Sequence, residues 1–199
     1  KGAKTLILDK FNCLGGLWTT GFMNPVFDIR NKGGIMEELI EEHKSRGTWG
    51  GFWGTSFHYE AMKQILEQKL TEAGADILFN TEFTRTLKEG NRVTGVVVEN
   101  VDGRGAYMAK TVIDCTGDGN VAADAGCAFD IGEDGDYKTC QAMTLMFLVG
   151  NIPQKYEKGL MIGDILDAVY EKEGLDIPFR RPFLIPVPAT RYGVVQFTH

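Results

Sequence analysis

Little in this 199-residue sequence is basic. Twenty-one Lys and Arg stand against 27 Asp and Glu, a formal net charge of −6, and the longest basic run is the pair Arg180-Arg181. That balance excludes the extended cationic surface that nucleic acid requires. Histidine is scarce as well, with only His43, His58 and His199. The four cysteines, Cys13, Cys115, Cys127 and Cys140, are widely spread and form no C-x-x-C. No spacing of these residues completes a metal site or suggests a disulfide framework, so reduced, mostly buried thiols in a cytoplasmic protein are expected. Long apolar runs are missing too. The longest, Met143 to Val149, is interrupted by Thr144 and is far too short to span a bilayer.

Glycine, by contrast, is abundant at 25 residues, and it clusters in Gly15-Gly16, Gly33-Gly34, Gly50-Gly51 and Gly117 with Gly119. Such clusters mark turns or close backbone approach. The most informative lies within Thr111 to Gly126. An apolar segment, Thr111 to Ile113, leads into Thr116-Gly117-Asp118-Gly119 and then a small-residue run, Val121 to Ala125, closed by Gly126. A strand, a glycine turn and a helix start leave backbone N–H groups uncovered, a natural place for an anion. The plain alternative is a tight turn that binds nothing.

Along the chain, Thr5 to Leu8 has the unbroken apolar character of a fully buried parallel strand, with Asp9 at its carboxyl end. An acid there is what dinucleotide folds use to accept hydrogen bonds from ribose. The segment Leu14 to Met23 is apolar for a loop. Gly34 to Arg46 reads as an amphipathic helix with Ile35, Met36, Leu39 and Ile40 inward. Tyr59 to Ala73 reads as a second, stopped by Gly74. Ala75 to Phe79 is a short strand. Glu82 to Leu87, Arg92 to Asn100 and Ala106 to Met108 form an antiparallel meander joined by turns. Beyond Gly126, Met143 to Val149, Arg180 to Val187 and Tyr192 to Phe197 read as extended, and Met161 to Glu171 as helical.

The order of these parts resembles the FAD-dependent oxidoreductases of the glutathione-reductase-like FAD/NAD(P)-binding superfamily. The matching segments are Gly2 to Lys10, Leu14-Gly15-Gly16 with Thr19-Thr20-Gly21, Asn24-Pro25, the helix ending Glu72-Ala73-Gly74-Ala75-Asp76, Arg92 to Val96, Ile113 to Gly119, and Met143 to Phe147. The resemblance implies an α/β fold: a Rossmann-like FAD-binding domain over 1–126, without its first βα unit and with the meander inserted. It implies the start of a strand-rich substrate domain over 127–199. It further implies an N- and C-terminally truncated piece, because the family's first strand and pyrophosphate-binding glycines precede the part matched here.

The roles implied are these. Asp9 binds the adenosine ribose with Lys10 beside it, and Leu14, Gly15, Gly16, Thr19 and Thr20 run along the diphosphate and flavin. Phe83 meets adenine through its backbone. Thr116, Gly117 and Asp118 lie near the phosphates and ribityl chain, Asp118 accepting from a ribityl hydroxyl or capping a helix. The function implied is hydride or electron transfer between FAD and a small-molecule substrate. His58 is the candidate proton carrier by side-chain type, with a helix cap as its other reading. Cys13 is a buried small residue or a redox thiol, and Arg180 and Arg191 are candidate anion holders. Two other functions fit the same sequence: a thiazole-synthase-like enzyme using NAD and iron, and a non-binding remnant or scaffold.

Overall fold

The apolar periodicities become secondary structure in a computed structural model that describes residues 2–31, 33–133, 135–141, 143–156, 160–174 and 182–198. The chain runs β1 (Leu6–Leu8), α1 (Gly34–Ser45), β2 (Trp49–Gly50), β3 (Ser56–Phe57), α2 (Tyr59–Glu72), β4 (Asp76–Leu78), β5 (Glu82–Glu89) and β6 (Arg92–Asn100). It continues through β7 (Gly103–Met108), α3 (Asn120–Asp124), β8 (Thr144–Val149), β9 (Leu160–Met161), α4 (Gly163–Glu173), β10 (Phe183–Pro186) and β11 (Gly193–Thr198). Among the described residues no helix is long and apolar enough to cross a membrane.

The elements pack into two compact units, each discontinuous in sequence. The first takes residues 1–12 and 73–141, the second 13–72 and 142–199.

In the first unit, β1 and β4 pair in parallel, Leu6 opposite Asp76 and Leu8 opposite Leu78. The strand is parallel, as its composition predicts, but it is not fully buried: Leu6 is 40% exposed. With β4 as its only ladder partner among the described residues, β1 leaves one edge and much of its faces uncovered. Strands β5, β6 and β7 form a separate antiparallel sheet with β6 central. Val96 and Val98, two apart and so on one face, pack with Val121, Phe83 and Tyr107.

The outer edge of β5 is covered by α3. Thr86 donates its N–H to the Asp124 carboxylate and its hydroxyl to the Val121 carbonyl, and the Lys88 ammonium donates to the Ala125 carbonyl. An uncovered edge strand invites pairing with another chain, and these bonds close it. The segment Thr111 to Ile113 is not a strand. Val112 packs against the Val96–Val98 cluster, but Ile113 is 79% exposed. Extended backbone becomes a strand only where a sheet edge lies within hydrogen-bonding distance.

In the second unit the core is built on α1 and α2. Met36, Leu39, Ile40 and His43 fall at i, i+3, i+4 and i+7 and form the inward stripe of α1, Leu39 and His43 being fully buried. Ile35, expected in that stripe, is 73% exposed, because it sits a turn-fraction away from the line of contact. From α2 come Met62 and Ile65, each 1% exposed, and Gly74, left-handed at φ 77°, ends the helix. Phe57 lies at the centre at 0% exposure, with Trp18 edge-on at 5.6 Å. The sheet β8-β11-β10-β9 is antiparallel. Period-2 alternation along β8 sends Met146 and Leu148 into this core and leaves Leu145 and Phe147 outward. Arg180 lies outside the described residues, and Arg191 is exposed.

Candidate functional site

Asp9 sits where β1 leaves its sheet. Its N–H makes the last parallel rung to Leu78 O at 3.0 Å, and its carbonyl accepts the Thr81 N–H at 3.0 Å. Asn80 N–H reaches Phe11 O at 3.0 Å, so the chain after β1 and the chain after β4 are tied at one strand end. The side chain makes an Asx turn, Oδ1 accepting the Phe11 N–H at 2.9 Å. Oδ2 has no protein partner among the described residues and remains available as an acceptor. Lys10 is exposed, its ammonium 5.2 Å from the Phe11 ring centroid. Phe83 follows two residues after Thr81, pairs with Val98 in the β5–β6 ladder, and turns its ring onto the Val96–Val98 cluster. Asp9, Lys10 and the backbone entering β5 are therefore brought together at this end of the first unit.

Of the two readings of the turn before α3, an anion site or a tight turn that binds nothing, the structure favours the second at the helix N-terminus, because Asp114 fills that place. Its Oδ1 accepts the Thr116 N–H at 2.9 Å and the Thr116 hydroxyl at 2.8 Å, and its Oδ2 accepts the Ala122 N–H at 2.9 Å. Thr116 Oγ1 accepts the Asn120 N–H at 2.9 Å. The first N–H groups of α3, the ones that have no partner inside a helix, are satisfied by the protein's own carboxylate and hydroxyl. Partial burial pushes the Asp114 pKa up, but the N–H groups of Thr116, Ala122 and Val121 and the Thr116 hydroxyl outweigh it and hold the carboxyl below its usual range.

The cap is thus Asp114 with Thr116, not Asp118, which is exposed. Gly117 and Gly119 are left-handed at φ 86° and 69°, with no atom within 4 Å of where a side chain would stand. They present bare backbone beside the exposed Asp118. Asp114→Ala is expected to destabilise the first unit by about 1.5–3 kcal/mol, the scale of hydrogen bonds to a charged group, read as a lower urea midpoint. An unchanged midpoint would remove Asp114 from this role.

In the second unit, Leu14 to Thr20 winds around one carbonyl. Gly16 O accepts the N–H groups of Thr19 at 3.1 Å and Thr20 at 2.9 Å, and the Thr20 hydroxyl at 2.7 Å. Gly15 and Gly16 are left-handed at φ 104° and 49°. Thr19 lies beneath Gly15, fully buried, its hydroxyl donating to Leu14 O at 2.6 Å. Any side chain at Gly15 would strike Thr19. Thr19 and the buried Leu14 therefore shape the turn from inside. Gly16, with open space above it, and the half-buried Thr20 form its outer surface.

His58 caps α2. Its carbonyl accepts the Met62 N–H at 3.0 Å and its ring Nδ1 accepts the Glu60 N–H at 3.2 Å. Burial lowers its pKa against the opposing pull of Glu60, and the positive end of the helix acts in the same direction. Cys13 is half-buried, but Cys115, Cys127 and Cys140 are exposed, against the expectation of mostly buried thiols. They fall in loops flanking α3 and before β8, where little apolar surface is available to cover them.

Two residues escaped the sequence reading. Asn24 and His43 are both at 0% exposure in the second unit's core. Asn24 Nδ2 donates to Phe57 O at 2.8 Å, and His43 Nδ1 meets Thr48 Oγ1 at 2.8 Å. Among the described residues Asn24 Oδ1 and His43 Nε2 have no hydrogen-bond partner. The only available signal was His43 falling on the α1 apolar stripe. A cleft of about 600 Å³ opens nearby in sequence, lined by Leu17, Trp18, Met23, Val26, Phe27 and Met36 among others. Among the described residues no cluster of His, Cys, Asp and Glu could hold a metal ion.

Comparison with known proteins agrees with the sequence resemblance at the level of the FAD-dependent oxidoreductase family. The sequence model of a family described as FAD dependent oxidoreductase matches residues 1–184. A thiamine thiazole synthase from Aeropyrum pernix is 36% identical over 118 residues, 58% of this chain and 42% of the relative. Among solved structures, CabE, an aromatic hydroxylase from angucycline biosynthesis, superposes with a TM-score of 0.54 at 16% identity, covering 99% of this chain and 39% of that one. The myxobacterial FAD-dependent halogenase CndH gives 0.51 at 13%, covering 99% and 47%. A geranylgeranyl bacteriochlorophyll reductase-like protein from Thermoplasma acidophilum gives 0.51 at 16%, covering 73% and 33%. At such identities the structures speak for the mixed α/β fold alone. The chain spans between a third and a half of the length of these relatives.

Proposed function

Because the chain belongs to the FAD dependent oxidoreductase family, whose cofactor is FAD, we propose that it forms part of an enzyme oxidising or reducing a small molecule. Bound FAD supplies hydride or electron transfer at its flavin ring. The observation that carries the reading on this chain is the free Asp9 oxygen at the end of a parallel strand. In the first unit Asp9 accepts hydrogen bonds from the adenosine ribose, as acids at that strand end do in dinucleotide folds. The backbone of Phe83, at the start of β5, offers the polar edge that adenine needs. Asp118, exposed and beside two bare glycines, accepts from a ribityl hydroxyl. Taken by itself, the left-handed Gly15-Gly16 turn of the second unit offers backbone that a planar ligand can approach without a side chain in the way. The α3 N-terminus takes no phosphate, since Asp114 would repel it.

The test is visible absorption of the purified protein together with the cofactor released on denaturation. Flavin bands and stoichiometric FAD are expected, and a colourless protein without FAD would sink the reading. Asp9→Ala is expected to weaken FAD retention by about tenfold or more, the equivalent of one charge-assisted hydrogen bond. Equal retention in the variant would take Asp9 out of the site.

His58 is separable from its capping role. His58→Asn keeps a good cap and removes the proton carrier. Unchanged stability, within about 0.5 kcal/mol, is expected. If His58 carries a proton, turnover falls and the pH–rate profile loses its neutral limb; an unchanged profile leaves the residue a cap only.

A further inference from the structure

We propose that the cleft in the second unit binds an uncharged, predominantly apolar small molecule, the substrate of the flavoprotein; the word substrate rests on the FAD reading, the ligand class does not. The cleft measures about 600 Å³, within the range of about 300–1,000 Å³ typical of small-molecule sites. None of its described lining residues is charged, in a chain whose formal charge is −6. The Trp18 indole N–H is the one hydrogen-bond donor among those side chains. A charged ligand entering here would lose its hydration with nothing to replace it.

The walls are aromatic and the lining adaptable. Trp18 and Phe27 offer flat faces, and Met23 and Met36 are flexible side chains suited to irregular apolar surfaces. Leu17 and Phe27 stand 67% and 63% exposed at the cleft. Apolar surface left so open is recovered by a ligand that covers it. Three non-glycine residues along this stretch, Phe22, Asp28 and Asn31, are left-handed at φ 57°, 50° and 56°. Such conformations persist where surrounding structure holds them and cluster at binding loops.

Gly15, which the resemblance puts along the cofactor, also lines the cleft, but FAD itself does not fill it. The flavin ring has a polar edge of several donors and acceptors and is joined to a diphosphate. Among its described lining residues there is no cation and a single side-chain donor. A second copy of this chain is the other occupant that an apolar surface allows, and the experiment separates the cases.

The test titrates the intact chain with N-phenyl-1-naphthylamine, which is uncharged and fluoresces in apolar surroundings, and with its sulfonated counterpart 8-anilino-1-naphthalenesulfonate. One saturable site for the neutral probe is expected, with the sulfonated one at least tenfold weaker. Leu17→Asp and Phe27→Asp, both at exposed positions and so without a folding penalty, are each expected to weaken the neutral probe at least tenfold. Val101→Ser, at a residue 95% exposed in the other unit, leaves binding unchanged. Unsaturable binding, equal affinity for both probes, or indifference to the two aspartates would overturn the proposal. So would loss of bound flavin in Phe27→Asp, which gives the cleft to the cofactor. A wild-type dimer that the aspartates dissociate gives it to a second copy and is equally fatal. A colourless protein that still binds the neutral probe in this pattern supports the cleft's ligand class and discards the FAD reading alone.

Discussion

Lowering the pH from 6.5 to 4 is expected to remove about 3 kcal/mol of stability from the second unit through one residue, His43. Its ring is fully buried between Phe57, 5.2 Å away, and Trp49, 6.4 Å away. Burial holds its pKa down to about 4 from an ordinary 6.5, assisted by the charges of Arg46 and His58 and opposed by Glu42 and the Thr48 backbone. In the unfolded chain the imidazole takes its proton near 6.5, while in the folded one it stays neutral. Above 6.5 neither state binds the proton and His43 is silent. Between 6.5 and 4 only the unfolded state binds it, so stability falls by about 1.4 kcal/mol per pH unit. Below 4 both are protonated and the loss levels off.

His43→Leu removes the effect. Leucine fills the same apolar stripe, eliminates the unpartnered Nε2, and leaves the residue-43 carbonyl to accept the Thr48 hydroxyl at 3.2 Å. The variant should lie within about 1 kcal/mol of wild type at pH 7, as volume-matched core changes do, and exceed it by about 3 kcal/mol at pH 4. Urea midpoints at several pH values provide the measurement. Parallel pH profiles for the two proteins would contradict the assignment.

Phe57→Ala is expected to cost about 3–5 kcal/mol, the range for deleting a buried aromatic. Domains have only about 5–15 kcal/mol in hand, so the second unit should be near its folding limit. Phe57 is at 0% exposure and contacts Trp18 and His43. Its backbone is bound on both sides by Asn24, which accepts the Phe57 N–H at 3.2 Å through its carbonyl and donates to Phe57 O through Nδ2 at 2.8 Å. The cavity therefore cannot close by moving the strand. A denaturant midpoint shifted without a change in slope would register the loss as stability. A cost under about 1 kcal/mol would mean that the core collapses into the space.

The parts legible in the sequence are those whose cause is local. The stripe Met36, Leu39 and Ile40 and the stripe Met62 and Ile65 announce α1 and α2 because helical period brings those residues together whatever lies beyond. Gly74 and Gly126 end helices because left-handed backbone suits glycine. The turns around Gly90 and Gly103 bound β5, β6 and β7 for the same reason. The cofactor class was legible too, from the order of parts. The direction of single side chains was not. Ile35 reads like its neighbours but lies off the line of contact, and Thr19 reads like Thr20 but lies beneath Gly15.

By itself, then, the sequence determined the helices, the turn-bounded strands and the family, since each rests on contacts within a few residues or on a series of short motifs. Tertiary structure alone decided the rest. It joined residues 1–12 to 73–141, left β1 half-covered, and withheld strand pairing from Thr111 to Ile113. It placed His43 in an apolar core. It also put Asp114 at the α3 N-terminus, where an external anion was one of two readings. The physical reason is common to all of these. Whether a strand is paired, a histidine is neutral or a helix end is free depends on groups brought close only when the chain has folded. A sequence shows which groups are available, and not which of them has already been satisfied.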